Sequence, residues 1–205
     1  MKVIIARHAE TSENVKEINI GRDVDPLLTD IGKQQAKKLA DFLKKEDIHF
    51  VYISPQKRAV HTAQEVLKHH PGAKVAEIAH LKEQNLGIYE SLPKHEWKKI
   101  KAKASEPFHL FKPPKGENYV ELKARVGAFF DNLVSRHEHD TVFLVSHGSA
   151  LGILYLHIFD KEITEENYKM YRPENTAITI LEIFKSADWR KTVKVHTLNS
   201  LEHLH

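Results

Sequence analysis

Arg7 and His8 follow directly on the apolar run Val3-Ile4-Ile5-Ala6, which puts a guanidinium and an imidazole at the carboxyl end of a strand. Open α/β sheets gather their chemistry at that edge. Arginine can grip an anion through two parallel hydrogen bonds and neutral imidazole can attack phosphorus, so the pair suits a phosphate ester. A strand that merely ends in solvated polar residues would carry the same dipeptide. Three further motifs follow along the chain. They are Ser54-Pro55-Gln56-Lys57-Arg58-Ala59 with His61-Thr62-Ala63, Leu81-Lys82-Glu83 with Gly87, and Val145-Ser146-His147-Gly148-Ser149. Each stands just after a β-like run or at the start of a helix-like one, so one sheet edge can collect them all.

This ordered set resembles the histidine phosphatase superfamily, in the branch that holds cofactor-dependent phosphoglycerate mutases and small broad-specificity phosphatases. The resemblance runs from Val3 to about Leu181. It implies His8 as a nucleophile that becomes phosphohistidine, with Arg7, Arg58 and His147 around the phosphoryl group and Glu83 as proton donor. For attack, His8 must be neutral with one ring nitrogen free, so its other nitrogen should donate to a backbone carbonyl. Glu83 must be neutral part of the time, which calls for burial or a second carboxylate.

Each position also has a plainer reading. Arg58 can be a solvated first-turn residue like Lys57, although a cation at a helix start is mildly disfavoured unless an anion is near. His147 can be a strand-end histidine with a structural hydrogen bond. Gly148 after it permits close approach, and the helix beginning there has N–H groups to offer a phosphate. Thr11 and Asn14 stand at the family's spacing for phosphate or substrate contacts, yet both are also turn-capping types. Gly21-Arg22 and Asp25-Pro26-Leu27 resemble the family's next loop, in which Gly21 brings backbone close to the ligand and Arg22 reaches a second anionic group or is simply solvated. Glu90 reads as a solvated loop carboxylate.

The elements that must position these residues alternate. Thr29 caps a helix running to about Lys45, with Ile31, Leu39, Phe42 and Leu43 on its apolar face. Phe50 to Ile53 is a strand, followed by a helix with Val60, Ala63, Val66 and Leu67 inward that stops at Pro71-Gly72. Lys74 to Ile78 is a shorter strand. Between Leu92 and Gly116 the periodicity fades and Pro93, Pro107, Pro113 and Pro114 accumulate, so about 92–116 is expected to be a helix and then an irregular lid. A helix follows with Leu122, Val126, Phe129, Phe130, Leu133 and Val134 inward, then a strand from Thr141 to Val145. Thr176 to Phe184 and Val193 to Leu198 would form a hairpin around Ser186-Ala187-Asp188. The alternation implies an α/β fold, a three-layer α/β/α sandwich with a mostly parallel sheet, in one domain over 1–205.

Composition sets the outer limits. With 41% hydrophobic and 29% charged residues in 205, the chain reads as one soluble globular unit. No apolar run approaches bilayer length, and Met1-Lys2-Val3 leads straight into a strand, so a cytoplasmic protein is expected. The absence of cysteine excludes cysteine-nucleophile phosphatase chemistry and thiolate metal sites. Fifteen histidines are scattered without a metal-ligand pattern, and no cofactor or metal is expected. A net charge of +3 suits a small-molecule phosphate ester and does not call for nucleic acid. The seven lysines between Lys94 and Lys115 lack the aromatic interleaving that base stacking needs.

Against the family pattern, Ala9 replaces a glycine, which would strain a positive φ by roughly 1 kcal/mol. Tyr89 and Ser91 replace tryptophan and glycine, and Leu86 stands where mutases carry tyrosine. The 92–116 stretch is short and has no arginine. These departures favour a metal-independent phosphomonoesterase over a phosphoglycerate mutase. A non-catalytic phosphate-binding protein is the third reading, although all five catalytic positions are retained.

Overall fold

The computed structural model describes residues 1–185 and 191–205. Strands β1 (Lys2–Arg7), β2 (Phe50–Ile53), β3 (Lys74–Glu77), β4 (Thr141–Ser146), β5 (Ile178–Lys185) and β6 (Lys191–Ser200) form one sheet in the order β3-β2-β4-β1-β5-β6. β3, β2, β4 and β1 are parallel, and β5 runs antiparallel to both of its neighbours. The expected turn around Ser186-Ala187-Asp188 lies outside the described residues.

β1 and β4 are continuous apolar runs buried on both faces, as central parallel strands must be when helices cover both sides. Their alternation divides the core. Val3, Ile5, Val142 and Leu144 pack with α5 (Tyr119–Arg136) and α6 (Gly148–Ile158). Ile4, Ala6, Phe143 and Val145 pack with α2 (Asp30–Leu43) and α3 (Lys57–Leu67). The result is the three-layer α/β/α arrangement.

Thr29 does cap α2, its Oγ1 accepting from Gly32 N at 2.9 Å. The inward stripe, however, is Gly32, Ala36, Leu39, Ala40 and Leu43, while Ile31 and Phe42 are 58% and 45% exposed. Each of those two lies one residue, about 100° of helix, off the stripe. Glycine opens the stripe because the start of α2 lies close to the Glu10 backbone, which a Cβ at Gly32 would strike. In α3 the buried residues are Arg58, Ala59, Thr62, Ala63 and Val66, with Val60 and Leu67 half-buried at the border. Leu39 and Leu43 are fully buried, worth about 1.5–3 kcal/mol each relative to exposure.

Two further helices have no sequence expectation, α1 (Ser12–Val15) and α7 (Glu165–Tyr171). Both are short and bury no residue fully, so neither has an apolar stripe to read. The irregular stretch contains α4 (Lys94–Ala102) with Trp97 buried.

Pairing of Arg7 with Ser146 and of Ile53 with Val145 fixes the functional edge. The residues that follow these strands, His8, His147 and Ser54, therefore emerge side by side. His8 N donates to Ser146 O at 2.9 Å and Ser54 N to Val145 O at 3.0 Å, so the ladder holds both up to the edge.

Candidate active site

His8 is 2% exposed, and its Nδ1 lies 2.7 Å from Ala9 O. A carbonyl only accepts, so Nδ1 carries the proton and Nε2 keeps its lone pair. Burial, and then the charges of Arg58 and Arg7, hold His8 well below the ordinary imidazole range. It is therefore neutral at neutral pH. Ala9 does not have a positive φ; it packs with Leu28 and Ala36, and alanine carries no backbone strain there.

Behind His8 stand Arg58 and His147, 1% and 0% exposed. Arg58 Nε donates to His147 Nδ1 at 3.2 Å, and His147 Nε2 then donates to Ser54 Oγ at 2.7 Å. The His8 and His147 rings are 5.2 Å apart. Arg58 also donates to Val24 O at 2.8 Å and Gly21 O at 3.2 Å, and it pairs with Asp25. It is thus a buried residue and not a solvated first-turn one. Asp25 supplies the anion its place on α3 demands, and the same carboxylate accepts from Lys57 N at 2.8 Å.

Arg7 reaches forward from β1. One terminal nitrogen donates to Pro173 O at 2.9 Å, while its buried Nε has no partner among the described residues. Burial and the adjacent charge of Arg172 pull its pKa down to about 10.

Glu83 is 6% exposed and its carboxylate accepts from Gln84 N, Ser149 N and Ala150 N at 2.8, 3.0 and 2.9 Å. Two of these donors are the first-turn N–H groups of α6 that the sequence would offer to a phosphate; here they anchor the carboxylate. Gln56 ties the site together, accepting from Glu83 N and donating to Gly21 O and Arg22 O.

The remaining sequence candidates fall in different places. Thr11 and Asn14 form the capping box of α1, and Asn14 also lines the cavity before His8. Gly21 leaves no room for a Cβ because Glu90 lies against it. Arg22 pairs with Glu117 at 2.8 Å. Gly148 is covered by the Arg172 guanidinium. Glu90 corrects the sequence reading, for its carboxylate accepts from Arg22 N, Asp23 N and Val24 N at 2.7, 2.9 and 3.0 Å. It is a clasp on the loop that holds Arg58.

A cavity of about 800 Å³ opens over Arg7, His8 and Glu83. Its far walls come from the irregular stretch, including Trp97, Lys101 and Phe108, and from Tyr168 and Arg172. Aromatics do stand among the lysines here, contrary to the sequence reading: Lys101 Nζ is 5.5 Å from the Trp97 ring and 5.7 Å from Phe108. Sequence reasoning missed Ser54 as the partner of His147, Asn175, whose Nδ2 donates to His8 O at 2.9 Å, and Arg172. Ser54 lies inside a motif already singled out. The other two lie in Arg172-Pro173-Glu174-Asn175, where only a proline ahead of a strand marks the spot.

The arrangement presents a neutral nucleophilic nitrogen beside unpaired guanidinium donors. That is a means of accepting a phosphoryl group. Residues 3–195 match the family model for the histidine phosphatase superfamily, branch 1. The chain is 29% identical over 194 residues to phosphoglycerate mutase-like protein 4 of Arabidopsis thaliana, covering 92% of this chain and 82% of that one. It is 30% identical over 166 residues to the metal-independent phosphoserine phosphatase of the same plant, covering 77% and 68%. Among solved structures, YhfR of Bacillus stearothermophilus superimposes with a TM-score of 0.87 at 26% identity, covering 100% of this chain and 99% of that one. With its sheet and its match along nearly the full length, the chain belongs to branch 1 of the histidine phosphatase superfamily.

Proposed function

We propose that the protein is a metal-independent phosphomonoesterase that hydrolyses small phosphate esters through a phosphohistidine at His8. The observation that carries this reading is His8 itself, neutral, fixed by Ala9 O so that Nε2 is free, and set beside the unpaired Nε of Arg7. Kinship with a protein named as a metal-independent phosphoserine phosphatase supports it.

In the first step His8 Nε2 attacks phosphorus, the ester P–O bond breaks, and Glu83 gives its proton to the leaving oxygen. In the second step water attacks the phosphohistidine, Glu83 takes a proton from it, and phosphate leaves with the P–N bond broken. Arg7 bears on the equatorial oxygens, where charge accumulates in a loose transition state. Arg58 and His147 act from behind the nucleophile, as a fixed positive charge and as the hydrogen-bonded ring against which His8 sits. Residues 1–205 work as one phosphatase domain, with 92–116 as its lid.

The test is hydrolysis of an activated aryl phosphate in excess chelator, comparing wild type with His8→Ala. Turnover that survives chelation and is lost in the variant is expected. Activity abolished by chelator alone would overturn the reading. Transfer of the phosphoryl group between hydroxyls without phosphate release would assign a mutase instead.

A further inference from the structure

We propose that Thr176 and His203 are positioning residues for the nucleophile: a hydrogen bond from the turn after β6 locks the loop ahead of β5, and that loop fixes the peptide plane on which the His8 ring is oriented. This rests on the phosphomonoesterase reading above.

The His8–Ala9 peptide is planar, so the bonds at its two ends set its tilt. Its carbonyl accepts from Asn175 Nδ2 at 2.9 Å and from Thr176 N at 3.4 Å, and Thr176 N also reaches Arg7 O at 3.2 Å. At the other end Ala9 N donates to Thr62 Oγ1 at 2.9 Å. The tilt of this plane places Ala9 O, the acceptor that holds His8 Nδ1. Asn175 and Thr176 thus act on the nucleophile through backbone, and neither lines the cavity.

Thr176 is an unexpected residue for that place. It is fully buried with φ at 56°, in the left-handed region, where a β-branched side chain is strained. Glycine would enter the same conformation freely. What threonine adds is a hydroxyl, whose Oγ1 lies 2.8 Å from Asn175 O and 3.1 Å from His203 Nε2. The carbonyl only accepts, so the hydroxyl proton goes to Asn175 O and His203 Nε2 must donate. His203 suits that tautomer, because its Nδ1 is buried with no hydrogen-bond partner among the described residues. Burial, and then the charges of Lys38 and His205, hold its pKa down to about 4, so the ring keeps one proton at neutral pH.

His203 belongs to a short 3-10 helix, Glu202–Leu204, that is itself fixed to α2. Lys38 donates to Leu204 O at 2.6 Å, and the Phe42 ring lies 6.0 Å from the imidazole. Just before this turn, Asn199 Nδ2 donates to Tyr171 O at 3.0 Å and so holds the other end of the loop. The loop 171–176 supplies Pro173 O to Arg7 and the Asn175 amide to His8. One stretch, 199–204, therefore grips it at both ends. The sheet does not need this grip to hold β5, which is paired along both of its sides. The bonds converge instead on the backbone of Arg7 and His8.

The experiment measures kcat/KM on an activated aryl phosphate, well below the melting temperature, together with the ring nitrogen resonances of His8. His203→Phe keeps a ring against Phe42 and removes the donor, and it is expected to lower kcat/KM by about tenfold. His203→Gln, whose amide nitrogen donates from a similar reach, should recover most of that loss. Thr176→Val should lose as much as His203→Phe, and the double variant no more than either alone, because both cut one bond. Ile48→Val, a core change at the opposite edge of the sheet, should lower the melting temperature and keep the wild-type rate. Wild-type kcat/KM in His203→Phe, equal losses in the Phe and Gln variants, or additive losses in the double variant would overturn the proposal. If wild type hydrolyses nothing, the phosphatase reading fails separately and the resonances decide. A single Nδ1–H tautomer of His8 in wild type and His203→Gln that becomes a mixture in His203→Phe supports the positioning role, and the same tautomer in all three overturns it.

Discussion

In the proposed mechanism His8 sets the acid side of activity. It must be neutral to attack, and burial with Arg58 and Arg7 nearby holds it well below the usual value of about 6.5. The nucleophile therefore stays competent as pH falls through 6, and kcat/KM should drop only at more acid pH. A profile of kcat/KM with an acid limb centred near 6.5 would contradict this. Arg58 is buried and charged, so Arg58→Ala removes both a contact to His147 and three bonds to the Gly21–Asp25 loop. A loss of about 2–5 kcal/mol in transition-state stabilisation is expected, about thirty-fold to several thousand-fold in rate. A loss under threefold in steady-state assays would remove Arg58 from the site. The residues that end strands or open helices, Arg7, His8, Arg58 and His147, were legible because apolar runs announce such boundaries. Arg172 and the clasp at Glu90 were not. Their roles depend on which distant loop folds back on them, and a carboxylate that accepts three backbone N–H groups looks in sequence like any solvated one.

At the scale of elements, the strands and the long helices were readable because burial imposes periods of two and 3.6. The start of the inward face of α2 was misjudged because close approach to Glu10 selects glycine at position 32 over a larger apolar residue such as the neighbouring Ile31. α1 and α7 are held by caps and neighbours, and no period marks them. Removing the Thr29 cap should cost about 1 kcal/mol, so Thr29→Ala is expected to lower the urea midpoint without changing the fold. Ser91 holds φ at 66° on an exposed turn, in a region that L-residues enter at a cost. Ser91→Gly should relieve that strain and stabilise by up to about 1 kcal/mol, less what glycine adds to the freedom of the unfolded chain. An unchanged or lower melting temperature would show that the turn is not strained.

For the whole molecule, buried neutral histidines make stability depend on pH. In the unfolded chain His8 and His147 take up protons below about 6.5, whereas in the fold burial and Arg58 keep both well below that value. Stability is full above the unfolded value and declines as pH falls toward the folded ones, by about 1.4 kcal/mol per pH unit for each histidine. Urea unfolding at pH 7 and pH 5.5 measures it, and His147→Gln should flatten the slope by one histidine's share, since burial holds His70 and His203 low in the fold as well. One connection has a meaning for descent as well as for energy. Glu90 grips the loop whose carbonyls hold Arg58, and the next residues along the chain begin the stretch that walls the cavity. The stretch that walls the cavity is therefore hinged to the loop that holds Arg58. A segment grafted in place of that wall should keep its junction after Glu90, so that the clasp on the Arg58 loop survives the exchange.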